Sequence, residues 1–123
     1  MEKVIIDGTK TTPRITLDPS GVLNIRGRFI HENPIDLFDP VIKWLKKYKQ
    51  DPRPVTVVNV DLEYFSCTAS RHILKVLETI LPLKEDNRLI INWYYEDGDE
   101  DILERGQYYE SIFNIEFNFI EYS

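Results

Sequence analysis

Cysteine is nearly missing from this 123-residue chain. Cys67 stands alone, so no internal disulfide can form, and such usage fits a reducing compartment. Nowhere do about 18 apolar residues run together, so no helical membrane span is expected. The opening Met1-Glu2-Lys3-Val4-Ile5-Ile6-Asp7-Gly8 lacks the apolar stretch of a secretory signal, which points to a cytoplasmic protein. Basic charge is also scarce: 15 Lys and Arg against 21 Asp and Glu leave a net charge of -6. That balance argues against a binder of nucleic-acid backbones and is read first as a solubility device. The five glycines are scattered, with no Gly-rich phosphate loop. His31 has no Cys or His close in sequence and His72 has only Cys67, five residues before it, too few ligands to support a zinc site.

What is present fits one soluble domain over residues 1–123, with 42% hydrophobic and 29% charged residues and enough length to bury a core. Val4-Ile5-Ile6 predicts a short strand. Arg14-Ile15-Thr16-Leu17 and Val22-Leu23-Asn24-Ile25-Arg26-Gly27-Arg28 alternate around the turn Asp18-Pro19-Ser20-Gly21, which predicts an antiparallel hairpin. Asn33-Pro34 opens a helix with Asn as cap, Pro in first position and Asp36 in the first turn. Pro40 predicts a kink or a restart with Asp39 as second cap. Phe38, Val41, Ile42, Leu45 and Tyr48 form the buried stripe, and Lys43, Lys46, Lys47 and Lys49 face water.

After Asp51-Pro52-Arg53-Pro54, the run Val55-Thr56-Val57-Val58-Asn59-Val60 has the composition of a strand buried on both faces. Ile73, Val76, Leu77 and Ile80 then mark a helix ending near Pro82, with Lys84 to Asn87 as a solvated loop. Leu89 to Tyr95 is a second strand of buried character, completing a βαβ unit with parallel strands. Asp99 caps a short helix with Ile102, Leu103, Gly106 and Tyr109 along one side, and Ile115 to Tyr122 alternates as a last strand. The order β-β-β-α-β-α-β-α-β predicts a two-layer α/β sandwich on a mixed sheet of about six strands, with the antiparallel hairpin at one end.

Several chemistries are weak on these residues. Cys67 at a helix start invites a nucleophile, but a cysteine phosphatase loop wants Arg six positions on and Ile73 stands there. The run Glu96-Asp97-Gly98-Asp99-Glu100-Asp101 lacks calcium-loop spacing and reads better as a capped helix start. Trp93-Tyr94-Tyr95 and Phe117, Phe119 and Tyr122 offer aromatic faces without the positive groove that base stacking needs, so core packing or a protein interface is favoured. Of Tyr94 and Tyr95, one faces outward.

The informative stretch is Leu62-Glu63-Tyr64-Phe65-Ser66-Cys67-Thr68-Ala69-Ser70-Arg71, where strand hands over to helix. The first N–H groups of a helix lack intrahelical partners and carry partial positive charge, so the junction favours an anion. Ser66, Thr68 and Ser70 place three hydroxyls there, each able to cap an N–H or to carry a phosphate.

This junction resembles the Leu-Glu-Tyr-Phe-Asn-Thr-Ser-Ser-Ser-Lys block of the SiaC family of bacterial regulatory phosphoproteins. The likeness continues in Gly8-Thr9, Thr12-Pro13, Gly27-Arg28, Glu32-Asn33, Trp44 to Tyr48, Asn92-Trp93-Tyr94-Tyr95 and Phe117 to Tyr122. The resemblance implies a non-enzymatic adaptor without cofactor or metal, in cyclic-di-GMP signalling. It would be regulated by a Ser/Thr kinase of the SiaB type and a PP2C-type phosphatase, and its unphosphorylated form would engage a partner such as a diguanylate cyclase. It also implies a fold and switch logic like those of anti-sigma factor antagonists of the STAS type. Aligned without gaps, the family's acceptor Thr falls on Cys67 and its preceding Asn on Ser66. Cysteine is not a substrate of ordinary Ser/Thr kinases, which makes Thr68 the first acceptor candidate, Ser66 the second and Ser70 the third. The expected partner surface comprises Tyr64, Ser66, Cys67, Thr68, Ser70 and Arg71 with Glu32 and Asn33. The alternative is a constitutive protein-binding module that has lost its acceptor.

Overall fold

A computed structural model describes residues 1–30, 35–85 and 87–123, and only the backbone of 35 and 36. Its elements are β1 (Val4–Ile6), β2 (Arg14–Asp18), β3 (Val22–Phe29), α1 (Ile35–Tyr48), β4 (Val55–Phe65), α2 (Cys67–Ile80), a 3₁₀ turn (Leu81–Lys84), β5 (Arg88–Glu96), α3 (Glu100–Phe113) and β6 (Asn118–Tyr122). The six strands lie in sequence order in one sheet. The pairs β1–β2 and β2–β3 are antiparallel, and β3 through β6 run parallel. The mixed α/β order expected from the sequence is therefore the one observed.

Alternation sets the two sides of this sheet. Ile15, Leu17, Leu23, Ile25, Val58, Val60, Leu62, Ile91 and Trp93 are buried on one face, in a single cluster with the stripes of the three helices. Thr16, Asn24, Asn59, Asp61, Asn92 and Tyr94 lie on the other face and keep contact with solvent. This corrects the expectation that β4 and β5 are buried on both sides: Val57, Asn59 and Asp61 alternate with buried neighbours along β4, and Ile90, Asn92 and Tyr94 do so along β5. The β-branched run reflects strand propensity rather than a second helical layer. Tyr94 is the outward tyrosine, and Tyr95 on the helix side donates to Glu121.

Helix α1 runs through Pro40 without a restart, and Asp39 pairs with Lys43 at 3.3 Å instead of capping a second helix. An interior proline costs about 3 kcal/mol. Burying Phe38, Val41, Ile42, Leu45 and Tyr48 on one continuous side returns about 1.5–3 kcal/mol each, so packing outweighs the lost bond. Lys43, Lys46 and Lys47 are exposed while Lys49 is half-buried. The expected cap Asn33 and first-position Pro34 lie outside the described residues, as does the side chain of Asp36. The one buried polar side chain on β4, Thr56, shares a 2.8 Å hydrogen bond with the Tyr48 hydroxyl.

Two further boundaries differ from expectation. The loop placed at Lys84 to Asn87 begins as the end of the 3₁₀ turn, and the Asn87 N–H closes it on the Leu83 carbonyl at 2.9 Å; Asp86 lies outside the described residues. Strand β6 starts at Asn118 rather than Ile115, because Asn114 ends α3 in a left-handed conformation (φ 51°) and the Phe117 N–H donates to the Glu110 carboxylate at 2.8 Å. Phe117 thereby packs under Trp93, with ring centroids 6.2 Å apart. These aromatics are core, as is Trp93 itself, whose indole N–H donates to the Ile102 carbonyl.

Candidate functional site

The junction between β4 and α2 is built by a register slip. Gly27 pairs with Leu62 but Arg28 pairs with Tyr64, which leaves Glu63 as the extra residue of a bulge. Gly27 sits at φ +121°, a conformation that L side chains rarely adopt, and this makes glycine the fitting residue opposite the slip. The slip reverses the alternation at the end of β4. Leu62 and Phe65 both face the core, whereas Tyr64 turns outward and is 47% exposed.

The same slip aims the chain into α2. The Ser66 N–H donates to the Phe29 carbonyl at 3.0 Å, and Ser66 stays extended while its hydroxyl oxygen accepts from the Ala69 N–H at 3.1 Å. Ser66 is thus the N-cap, half-buried and already in use. Ala69 is fully buried and anchors the first turn, and Ile73, Val76, Leu77 and Ile80 continue its stripe as expected. Cys67, Thr68 and Arg71 stand exposed on the outer side of that turn. Ser70 is half-buried and faces α3. Of the three hydroxyls, only that of Thr68 belongs to an exposed residue. Glu32 and Asn33, expected to contribute to this surface, lie outside the described residues.

Helix α3 supplies two residues that sequence reasoning did not assign to the site. The Arg105 guanidinium lies 3.7 Å from the centre of the Phe65 ring, and one of its nitrogens donates to the Phe65 carbonyl. Asp101, one turn earlier, is 3.9 Å from the same guanidinium. Tyr109 packs edge-on against Trp93, and its buried hydroxyl has no hydrogen-bond partner among the described residues. Burial pushes the Tyr109 pKa up, against the pull of the nearby Ser70 hydroxyl and the Arg105 charge. The only sequence signal for Arg105 is its four-residue spacing from Asp101, which marks any solvated helix.

His72 offers no base to Cys67. It is tilted against Phe29 and Phe38, with ring centroids at 6.3 and 5.5 Å, and burial lowers its pKa, helped by the charges of Arg71 and Lys75. A neutral imidazole packed on aromatic rings is a structural group. Among the described residues no group of three or more His, Cys, Asp and Glu is placed to hold a metal ion. The acidic run around Asp99 is a helix start: the Asp99 carboxylate accepts from the Ile102 N–H at 3.1 Å. Among the described residues, no helix is long and apolar enough to cross a membrane.

The site is thus an exposed hydroxyl at the start of a well-anchored helix on a six-stranded α/β domain. The profile described as SiaC family regulatory phosphoprotein matches residues 6–122, and the chain belongs to that family. Membership makes it a regulatory protein rather than an enzyme. An uncharacterised protein of Pseudomonas aeruginosa (strain UCBPP-PA14) is 26% identical over 106 residues, covering 85% of this chain and 84% of its own. The fold is shared with apo-SiaC from Pseudomonas aeruginosa, at a TM-score of 0.84 and 22% identity with both chains covered in full. It is shared also with SiaC from the crystal structure of the diguanylate cyclase SiaD in complex with its activator SiaC, from the same organism. There the TM-score is 0.88 at 21% identity, covering 97% of this chain and 99% of the other.

Proposed function

We propose that this protein is a phosphorylation-controlled adaptor, acting in the cytoplasm, whose outer α2 start binds a signalling partner when Thr68 is unmodified and releases it when Thr68 carries a phosphate. The observation that carries this reading is the exposure of Thr68 in the first turn of α2, within reach of an enzyme and beside free N–H groups and partial positive charge. The partner surface comprises Tyr64, Cys67, Thr68 and Arg71, flanked by Ser66 and Ser70. The family relative solved with a diguanylate cyclase as its activator makes such a cyclase the first partner to test. Control would rest with a Ser/Thr kinase of the SiaB type and a PP2C-type phosphatase, in the switch logic of anti-sigma factor antagonists.

Electrostatics supplies the mechanism. A phosphate of charge near -2 at a helix start is stabilised by roughly 0.3–2 kcal/mol, so modification leaves the fold intact. A partner packed on the same surface would have to desolvate that dianion, and only about 5.5 kcal/mol separates a mostly bound from a mostly free population. Incubation with the cognate kinase and ATP, followed by peptide mass spectrometry, tests the switch: phosphate on Thr68 supports it, and an unmodified stretch 62–75 rejects it.

A second reading draws on Cys67, which is exposed at the position where the family block has its acceptor Thr. In that reading the chain is a constitutive protein-binding module. Partner affinity unchanged by Thr68→Glu but abolished by Arg71→Glu would select it.

A further inference from the structure

The sheet face turned away from the helices carries two rows of side chains in register. In the first, Asn59 donates to Asn24 at 2.8 Å, Asn92 to Asn59 at 2.9 Å and Asn118 to Asn92 at 3.0 Å, a ladder across four strands. Each interior carboxamide uses one of its two N–H donors and one of its two acceptor sites within the ladder. Asparagine is depleted in strands, so four in register are a poor choice for a face that meets only water. In the second row Arg14 lies directly opposite Arg26, and Arg26 opposite Asp61. Like charges in that relation repel, and Asp61 stands 3.5 Å from Arg26.

A shallow concavity of about 730 Å³ opens over these rows and extends to Glu63 of the bulge. Strand β3 thus presents Asn24, Arg26 and Arg28 at the heights where β4 presents Asn59, Asp61 and the Glu63–Tyr64 bulge. Because β3 and β4 are parallel neighbours, this pattern is complementary to itself.

We propose that this open face binds a second copy of the same chain. A two-fold axis along the strand direction, passing between β3 and β4, lays each β3 over the β4 of the other copy without changing height. Arg26 of one copy then faces Asp61 of the other, Arg28 faces Glu63, and Asn24 faces Asn59, each contact occurring twice. Such an interface is isologous and closes on itself. Packed sheets lie about 10 Å apart with strands within about 30° of each other, a gap that two facing side chains fill. The free donors and acceptors of Asn24 and Asn59 in the two copies meet at its centre. The Glu63–Tyr64 bulge borders both this surface and the α2 start, whereas the Arg26–Asp61 and Asn24–Asn59 contacts lie away from Thr68, so the assembly holds whether or not Thr68 is the switch.

Analytical ultracentrifugation over a wide concentration series tests it, with the full chain as it is. The wild type is expected to dimerise. Arg26→Glu and Asp61→Arg should each weaken dimerisation on the order of a hundredfold, since each turns two attractive contacts into two repulsive ones. An equimolar mixture of the two variants should dimerise again. The carboxylate introduced at position 26 of one chain then faces the guanidinium introduced at position 61 of the other, while the second contact stays native. That recovery cannot come from repair inside either chain, where residues 26 and 61 remain mismatched. If either variant fails to fold by circular dichroism, the exposed pair Arg28→Glu and Glu63→Arg gives the same test. A wild type that stays monomeric, a dimer that survives either substitution, or variants that do not recombine would overturn the proposal.

Discussion

The Arg105 guanidinium caps the ring of Phe65 at 3.7 Å while donating to that residue's carbonyl, so a side chain of α3 holds the last residue of β4 in place. Phe65 immediately precedes the N-cap Ser66, and the position of Thr68 therefore depends on a contact with a residue far along the chain, on another helix.

Removing that clamp has a measurable cost. Arg105→Ala loses a partly buried cation–π contact and a charged hydrogen bond, and is expected to lower unfolding free energy by about 1–3 kcal/mol. Arg105→Lys keeps the charge without the planar fork and should recover less than half of the loss. Urea denaturation gives both values, and an unchanged midpoint for Arg105→Ala contradicts the clamp.

Gly106 is the second tight point of α3. A Cβ there would stand 2.6 Å from the indole nitrogen of Trp93, which is fully buried and bonded to Ile102. Gly106→Ala should destabilise by about 1–3 kcal/mol although alanine favours helix, and should shift the tryptophan emission. A stabilised variant would show that α3 can move off the sheet freely.

Pro40 lies inside α1 and breaks no packing. Restoring the N–H by Pro40→Ala is expected to raise stability by about 1–2 kcal/mol, the helix gain being offset in part by a freer unfolded chain. A lower melting temperature would mean that the ring itself is needed.

His72 makes stability depend on pH. In the unfolded chain it protonates near its ordinary pKa of about 6.5, whereas burial against Phe29 and Phe38, with Arg71 and Lys75 nearby, lowers its pKa in the folded protein. Between the two values the unfolded state binds more protons, so this group's contribution is present above about 6.5 and is lost as pH falls through the folded value. Asp39 and Lys46 line the same groove. The stability of wild type relative to His72→Gln should therefore fall as pH drops from neutral to about 5. A difference that does not change with pH contradicts the assignment.

Most of the fold was legible because period and punctuation agree: the alternation of β2 and β3 around Asp18-Pro19-Ser20-Gly21, and the stripe from Ile73 to Ile80, each decide one element locally. The misread places are those where a distant contact decides. Pro40 was overridden by burial of the α1 stripe, and Ile115 to Phe117 were drawn out of strand by Glu110 and Trp93. The two-sided burial expected for β4 was a misreading of propensity, since Val57 is β-branched without being buried. At the candidate site the hydroxyls and the helix start were readable from spacing alone. The bulge at Glu63 and the approach of Arg105 and Tyr109 were not, because nothing in the order of residues says which helix face meets the end of which strand.

The central claim is that one phosphate at Thr68 decides whether a partner is held. The most direct measurement is a binding titration of a diguanylate cyclase with two forms of this chain, one unmodified and one carrying phosphothreonine at position 68. Micromolar or tighter binding of the unmodified form and a loss of at least about a hundredfold on phosphorylation, equivalent to roughly 2.7 kcal/mol, is the predicted result. Equal affinity of the two forms would contradict it.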